Sequence, residues 1–173
     1  MSAIQQLQMS YSAEEDRVLL RINTTDQEEF RFWLTRRYCQ LIIQALNAHR
    51  SADPDVSAQA TPVARQAVEE FKQEAAISQG NFDQAFQEAS SFPFGEAPAL
   101  AQKLKYKVDS GLLALTIEPG SGNGITIKLD SKLNYNVAKL LQGAISAGEW
   151  PLARRRLFVL VTPWSLCGLA SSL

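Results

Sequence analysis

An internal repeat constrains the fold of this chain more than any other feature of its sequence. The segment from Leu20 to Leu46 is followed, 95 positions later and without a gap, by the segment from Leu115 to Leu141. Apolar residues fall at matching places in both segments. Recurrence at a fixed spacing indicates that one supersecondary unit has been used twice. The structure of one unit therefore predicts most of the structure of the other.

Each copy reads as three strands followed by a helix. In the first copy, apolar and polar residues alternate in short runs around Met9, Leu20 and Phe32, which is the pattern of half-buried strands. The spacing then becomes helical, and Thr35 and Asp130 stand at the change as N-cap residues do. We expect an α+β fold of two pseudo-symmetric β-β-β-α units, each an antiparallel meander covered by a helix. One unit buries too little apolar surface to be stable alone, so a pseudo-twofold axis is expected to bring the two onto one core.

The repeat divides the chain into four parts. Residues 1–50 form the first unit, 51–100 a linker, 101–150 the second unit, and 151–173 a tail outside the repeat. Helical spacing in the linker predicts an amphipathic helix from Pro62 to Ser78, with a proline suited to the first turn. The rest of the linker is expected to be a connector with docked aromatic residues, or else a dedicated partner-binding segment. The aromatic residues that could anchor it to the core are Phe82, Phe86, Phe92 and Phe94.

The tail contains three consecutive arginines, Arg154 to Arg156, followed by 17 mostly apolar residues. Three hypotheses fit this pattern: a loose tail, an extra strand docked on the core, or a membrane anchor. The apolar stretch is at the short limit for crossing a bilayer and is interrupted by polar residues, so no membrane span is expected.

Charge is distributed unevenly along the chain. The formal net charge is only -1, which excludes a global electrostatic attraction to nucleic acid or to an anionic membrane. Residues 51–100, however, contain eight acids and two bases, whereas residues 101–173 contain nine bases and four acids. The linker is therefore acidic and the second unit basic.

The residue types and spacings that catalysis or metal binding usually need are not found. The chain has one histidine and two cysteines, so no metal cluster of recognised spacing exists. His49 is interpreted as a cation at a helix C-terminus, and Cys39 as a small buried hydrophobe. The glycine-rich run from Gly120 to Gly124 lies between two strands and predicts a hairpin turn rather than a phosphate-binding loop. We therefore predict no catalytic, cofactor-binding or metal-binding residues, and a reducing cytoplasm as the location.

Basic and aromatic side chains alternate with the predicted core positions of the strands. If the apolar positions face the helices, the opposite face of the sheet is the candidate ligand-binding face. Interleaved cations and rings on a sheet can hold single-stranded nucleic acid, because charge follows the backbone and rings stack on bases. A solvated outer face that discourages aggregation is the plainer interpretation. The residues of this face are Arg17, Arg21, Arg31, Trp33, Lys103, Lys105, Lys107 and Lys128.

Two functional hypotheses follow. The first is a non-enzymatic binding or assembly protein that uses sheet faces, strand edges and Trp33 to contact a protein partner or a second copy of itself, for instance as a dimer. The alternative is a single-stranded nucleic-acid-binding protein that uses the basic sheet face. Duplicated strand-rich units closed by helices resemble, in outline, the Pur and Whirly single-strand binders, which have four strands per unit where this chain has three.

Overall fold

The computed structural model describes residues 4–82, 84–87, 89–120 and 124–150. Strands and helices follow one another in the predicted order, which confirms the α+β class, and the linker helix has the predicted bounds. The hypotheses for the tail concern residues outside the described part of the chain. The elements are β1 (Ile4–Ser12), β2 (Arg17–Thr24), β3 (Glu29–Leu34), α1 (Arg36–Ser51), α2 (Pro54–Ser57), α3 (Pro62–Ser78), β4 (Ala99–Asp109), β5 (Leu112–Pro119), β6 (Ile125–Leu129) and α4 (Ser131–Ala147).

The described strands form one mixed sheet in the order β1-β2-β3-β4-β5-β6. Pairing is antiparallel within β1–β3 and within β4–β6, and a short parallel pairing of Phe32 with Ala99 and Trp33 with Leu100 joins the two halves. The expected pseudo-twofold axis is therefore wrong. Such an axis would place equivalent strands beside each other, whereas β3 pairs with the first strand of the second half. The halves follow each other head to tail along the sheet.

Local signals in the sequence account for the element boundaries. The Thr35 hydroxyl accepts a hydrogen bond from the Tyr38 amide at 3.2 Å, and the Asp130 carboxylate accepts one from the Leu133 amide at 2.7 Å. Both predicted N-caps are confirmed, and each ends a strand by starting a helix. Between β4 and β5, Ser110 and Gly111 both have positive φ angles, 50° and 77°, as a two-residue hairpin turn requires.

Each long helix of the repeat packs on strands of the other half. Besides the strand that it follows, α1 contacts β4 and β5, whereas α4 lies along β1. The two helices also contact each other, and the Tyr38 hydroxyl on α1 donates to the Lys103 carbonyl of β4 at 2.9 Å. We expected each meander to be covered by a helix, but the covering helices are largely exchanged. Neither half can therefore bury its apolar face with its own elements alone.

The apolar positions shared by the repeat form one core. Most are less than 5% exposed, and Ile42 and Val137, at matching places in α1 and α4, are 1% and 2% exposed. Ile125, near the start of the edge strand β6, is only partly buried. The buried strand residues at predicted core positions are Val18, Leu20, Ile22, Phe30, Phe32, Leu34, Leu113, Leu115, Ile117, Ile127 and Leu129.

His49 links α1 to both halves of the structure. Its ring is 5% exposed, and Nε2 lies 3.0 Å from the Gly111 carbonyl oxygen in the β4–β5 turn. The amide nitrogen of Asn134 on α4 donates to Nδ1 at 3.0 Å and to the Leu46 carbonyl at 3.1 Å. Because Nδ1 accepts, Nε2 is the donor to Gly111. His49 lies in the last turn of α1, as predicted, but its ring is a buried hydrogen-bonding link to the other half rather than a cap of its own helix.

The exchanged helices predict that the whole structure unfolds as one unit. Truncating Ile42 to Ala leaves a cavity where α1 meets the sheet and should lower the free energy of unfolding by about 3 kcal/mol. Urea unfolding followed by tryptophan fluorescence and by circular dichroism should give coincident transitions in the parent and in the variant. Gln44→Ala, an exposed position on the same helix, should leave the midpoint almost unchanged. Two separate transitions would contradict this interlocked arrangement.

Candidate binding face

The eight candidate residues lie on the outer face of the sheet, which is the face turned away from α1 and α4. Their strand neighbours point into the core, so alternation along each strand directs them outward. The head-to-tail order of the halves divides them into two groups on different parts of the sheet. The first group is on β2 and β3, the second on β4 and β6, and the structure gives the two groups different surroundings.

In the first group, two arginines share one buried carboxylate. Arg21 and Arg31 are direct cross-strand partners, an arrangement in which like charges repel. Glu29, whose side chain is fully buried, accepts bonds from Arg21 at 2.6 and 3.1 Å and from Arg31 at 2.7 and 3.3 Å. Burial opposes ionisation of Glu29, but the hydrogen bonds and charges of both arginines outweigh it and lower the pKa of the carboxyl to about 2. The arginines are thus held by an internal counter-ion.

The chain between α3 and β4 covers this first group. We call its described residues, 80–82, 84–87 and 89–98, the strap. The ring of Phe86 lies 4.1 Å from the guanidinium carbon of Arg21, and the ring of Phe92 lies 4.5 Å from that of Arg31. A guanidinium stacked on an aromatic ring and bonded to a carboxylate has little capacity left for an external anion. The strap therefore occupies the surface that we predicted for a ligand.

Hydrogen bonds fix the path of the strap across the first half. Gln6 on β1 donates to the Ala85 carbonyl at 3.2 Å and accepts from the Gln87 amide at 2.9 Å. Farther along, the Glu29 amide donates to the Ser91 carbonyl at 2.8 Å, so the strap reaches the edge of β3. It crosses the outer face from β1 to β3 and then continues into β4.

Aromatic residues anchor the strap at both ends. Phe94 turns to the inner side of the sheet, where its ring packs edge-on against Phe30 and Phe32 with centroids 5.1 and 5.8 Å away. At the other end, the Lys139 ammonium of α4 lies 4.2 Å from the ring centroid of Phe82. The predicted anchoring to the core is seen for Phe94, whereas the other three rings lie against cationic side chains. The four anchors are Phe82, Phe86, Phe92 and Phe94.

The second group forms an exposed surface that we call the lysine face. Its cations are Lys103, Lys105 and Lys107 on β4 and Lys128 on β6, all exposed. Strand register places Ala114 between Lys107 and Lys128, and Thr116 beside Lys105. A lane of short side chains on β5 therefore runs between longer cationic ones, which gives the surface the form of a shallow trough.

Acidic neighbours neutralise only part of the lysine face. Lys105 pairs with Glu118 at 2.5 Å and Lys107 with Asp109 at 2.9 Å. Lys103 and Lys128 make no ion pair with any residue in the described part of the chain. Exposed ion pairs of this kind contribute little to stability and exchange readily for another anion. The lysine face therefore keeps its capacity to bind an anionic partner.

Two residues of the first group, Trp33 and Arg17, do not share the Glu29 carboxylate. Trp33 lies at the junction of the halves, where register places it between Leu19 and Leu100, and Leu100 is 38% exposed. Arg17 lies at the start of β2, where it pairs with Glu15 at 3.0 Å. The junction is thus a small, partly exposed apolar row next to the lysine face.

Other reactive side chains in the described residues serve the fold. Cys39 is fully buried, and burial raises the pKa of its thiol to about 12, which confirms its interpretation as a small hydrophobe. Asp16 accepts bonds from Tyr11, Arg36 and Trp150 at 2.7 to 2.9 Å, which ties the end of α4 to the β1–β2 turn. Among residues 4–150, apart from the short gaps, no cluster of His, Cys, Asp and Glu is arranged to hold a metal ion. None of the helices described is both long and apolar enough to cross a membrane.

Comparison of the chain with protein-family models, with curated proteins and with solved structures found no match. What the outer face can bind is therefore inferred from its geometry alone.

Sequence reasoning found the residues of the outer face but not what covers them. Glu29 is not among the residues predicted for this face, yet it is the buried partner of two arginines. Alternation within β3 would place Glu29 on the outer face with Arg31, which is where it lies. No signal in the sequence predicted its burial, because the strap that covers it comes from residues more than 50 positions away.

The buried carboxylate predicts a specific dependence of stability on pH. Because the pKa of Glu29 in the fold is below its ordinary value of 4.5, its ionisation stabilises the protein above about pH 5. That contribution is lost as the pH falls through about 2. Glu29→Gln should lower the free energy of unfolding at neutral pH by about 3 kcal/mol. In this variant the free energy of unfolding should also decrease less steeply as the pH falls from about 5 to about 2.

Urea unfolding at a series of pH values measures this effect. Glu14→Gln, at an exposed position in the β1–β2 turn, serves as the control and should retain the parent profile. A Glu29→Gln variant whose unfolding free energy decreases with acid as steeply as that of the parent would show that this carboxyl does not anchor the arginines.

Proposed function

We propose that the protein is a non-enzymatic binding protein that holds an anionic partner on its lysine face. The observation that supports this proposal is that the two basic groups of the outer face have different surroundings in the fold. The arginines of β2 and β3 are paired with Glu29 and covered by the strap. The lysines of β4 and β6 are left exposed.

The surroundings of the ionisable groups support binding rather than catalysis. Catalytic groups are typically perturbed side chains that face a cleft where substrate can reach them. Glu29 is enclosed between two arginines, and His49 is hydrogen-bonded through both ring nitrogens. Cys39 is enclosed in the core. These groups hold elements of the fold together, and the two carboxylates beside the lysine face, Glu118 and Asp109, pair with its lysines.

The shape of the trough limits the class of partner. Short side chains on β5 allow close approach along a line parallel to the strands, with lysines of β4 on one side and Lys128 on the other. An extended or helical segment that carries carboxylates or phosphates on its flanks fits this arrangement. A compact anion would use only one or two of the four cations.

Single-stranded nucleic acid is a second candidate because of the position of Trp33. This ring lies on the same outer face, paired with Leu100 of β4, and Lys103 follows three residues later. A ring that stacks on a base, followed by a row of cations that contact phosphates, is a common arrangement for sequence-tolerant single-strand binding. In this case Trp33 and the lysine face would act together.

Binding of two labelled probes should separate these candidates. We expect Lys103→Glu combined with Lys128→Glu to weaken binding of a polyglutamate peptide and of an oligothymidylate by about tenfold or more, because two positive charges of the lysine face become negative. These two lysines suit the test because their replacement leaves no acidic side chain without its ion-pair partner. Fluorescence anisotropy at low salt is the measurement. If four phosphates are contacted, the slope of log affinity against log salt should be about -3 for the oligonucleotide.

Two further variants complete the design. Lys132→Glu makes the same kind of substitution once, on the exposed surface of α4, and should leave binding unaltered. Trp33→Ala should weaken binding of the oligonucleotide alone if bases stack on this ring. A parent protein that binds neither probe at low salt, or that loses binding equally in the Lys132 control, would refute a role for the lysine face.

A further inference from the structure

A second exposed surface of the molecule complements the lysine face. On α3, Val63 and Phe71 are 78% and 72% exposed, and Ala67, midway between them, is exposed as well. Residues four apart lie on one side of a helix, so these three form an apolar stripe. Glu70 and Glu74 are exposed on the same side. We call these five residues the α3 stripe.

None of the described residues of the chain covers the α3 stripe. The opposite side of α3 packs on α4, and Ala76 on that side is 5% exposed. Lys72 on α3 also binds Asp53 at 2.6 Å and Asp55 at 2.7 Å, which fixes the helix to the N-terminus of α2. A helix that is anchored in this way presents its outer side in a fixed orientation. Large apolar side chains exposed on such a surface commonly mark an interaction site.

The dimensions and charges of the two surfaces match. From Val63 to Phe71 the stripe extends about 12 Å at the rise of an α-helix. The short lane on β5, from Leu112 through Ala114 to Thr116, extends about 13 Å at the rise of a strand. Leu112 is 42% exposed and offers an apolar contact at one end of this lane. Carboxylates beside the stripe would then meet the lysines beside the lane.

The fold prevents this contact within one molecule. The helix α3 packs on α4, on the inner side of the sheet, whereas the lysine face is on the outer side. The sheet and the core therefore lie between the two surfaces of the same chain. Two different molecules are needed to bring them together.

We propose that the protein binds copies of itself head to tail, with the α3 stripe of one molecule on the lysine face of the next. This inference rests on the proposed function, since it identifies the anionic partner of the lysine face as a second copy of this chain. A contact between two different surfaces leaves one of each free in every pair, so the assembly extends into a chain or closes into a ring. Because both surfaces carry exposed charges, salt weakens the association.

Sedimentation velocity of purified protein tests the proposal with two complementary variants. Glu70→Lys combined with Glu74→Lys disables the α3 stripe and leaves the lysine face intact. Lys103→Glu combined with Lys128→Glu disables the lysine face and leaves the stripe intact. The parent should form larger species as its concentration rises at low salt, and each variant alone should associate at least about tenfold more weakly.

Mixing the two variants provides the decisive result. In the mixture each surface of one variant meets a surface of opposite charge on the other, the unchanged stripe on the unchanged face and the exchanged stripe on the exchanged face, so equimolar variants should assemble again with the two kinds of molecule alternating. A protein that carries all four substitutions should assemble again, because its charges are exchanged rather than lost. Circular dichroism and urea midpoints confirm that the variants are folded, and Lys132→Glu should assemble like the parent.

Several outcomes would overturn the proposal. They are a parent that stays monomeric up to its solubility limit, an assembly that both variants leave unchanged, and a mixture in which the two variants do not associate with each other. The proposed function can survive such a failure. If the parent is monomeric but binds polyglutamate or oligothymidylate through Lys103 and Lys128, the lysine face binds a different partner. If it binds neither probe and does not assemble, both proposals fail together.

Discussion

The packing of each long helix on strands of the other half is the constraint on which the rest of the structure depends. With α1 on β4 and β5, and α4 along β1, the apolar faces of both meanders close into one core. The contact is reinforced where α1 ends, because His49 bonds both the β4–β5 turn and Asn134 of α4. A buried polar link of this kind favours one arrangement over its alternatives, since any slip of the helices leaves donors and acceptors unpaired.

This packing leaves the outer face of the sheet available, and the fold treats its two parts differently. Over β1–β3 the strap supplies Phe86 and Phe92 as covers for the arginines, and Glu29 supplies the counter-charge beneath them. The resulting layer of carboxylate, guanidinium and ring buries charges that are costly to bury singly but tolerable as a bonded group. A single linker connects the two halves. It covers the outer face of the first half, and the outer face of the second half has no such cover from it. The bare lysine face is thus a consequence of the connection between the units.

The acidic and the basic segments of the chain lie on different sides of the folded molecule. Part of the acidic linker becomes α3, fixed on the inner side of the molecule by α4 and by the bond between Lys72 and Asp53. The basic second unit presents its lysines on the outer side. Opposite charges are therefore carried on opposite sides of one molecule, a geometry that favours contacts between molecules over contacts within one. Both proposals for the lysine face follow from this separation.

What the sequence determined by itself was local. Period-two and helical spacings predicted the elements, the N-caps at Thr35 and Asp130 predicted where strands give way to helices, and alternation predicted which side chains point outward. These signals can be recognised in the sequence because the periodicity of side chains along a strand or a helix does not depend on the surrounding structure. Tertiary structure alone decided the head-to-tail joining of the halves, the exchange of the helices, and the covering of Arg21 and Arg31 but not of Lys103 and Lys128. Those outcomes depend on contacts between residues far apart in the chain, and an apolar face signals only that it must be buried, not which segment buries it.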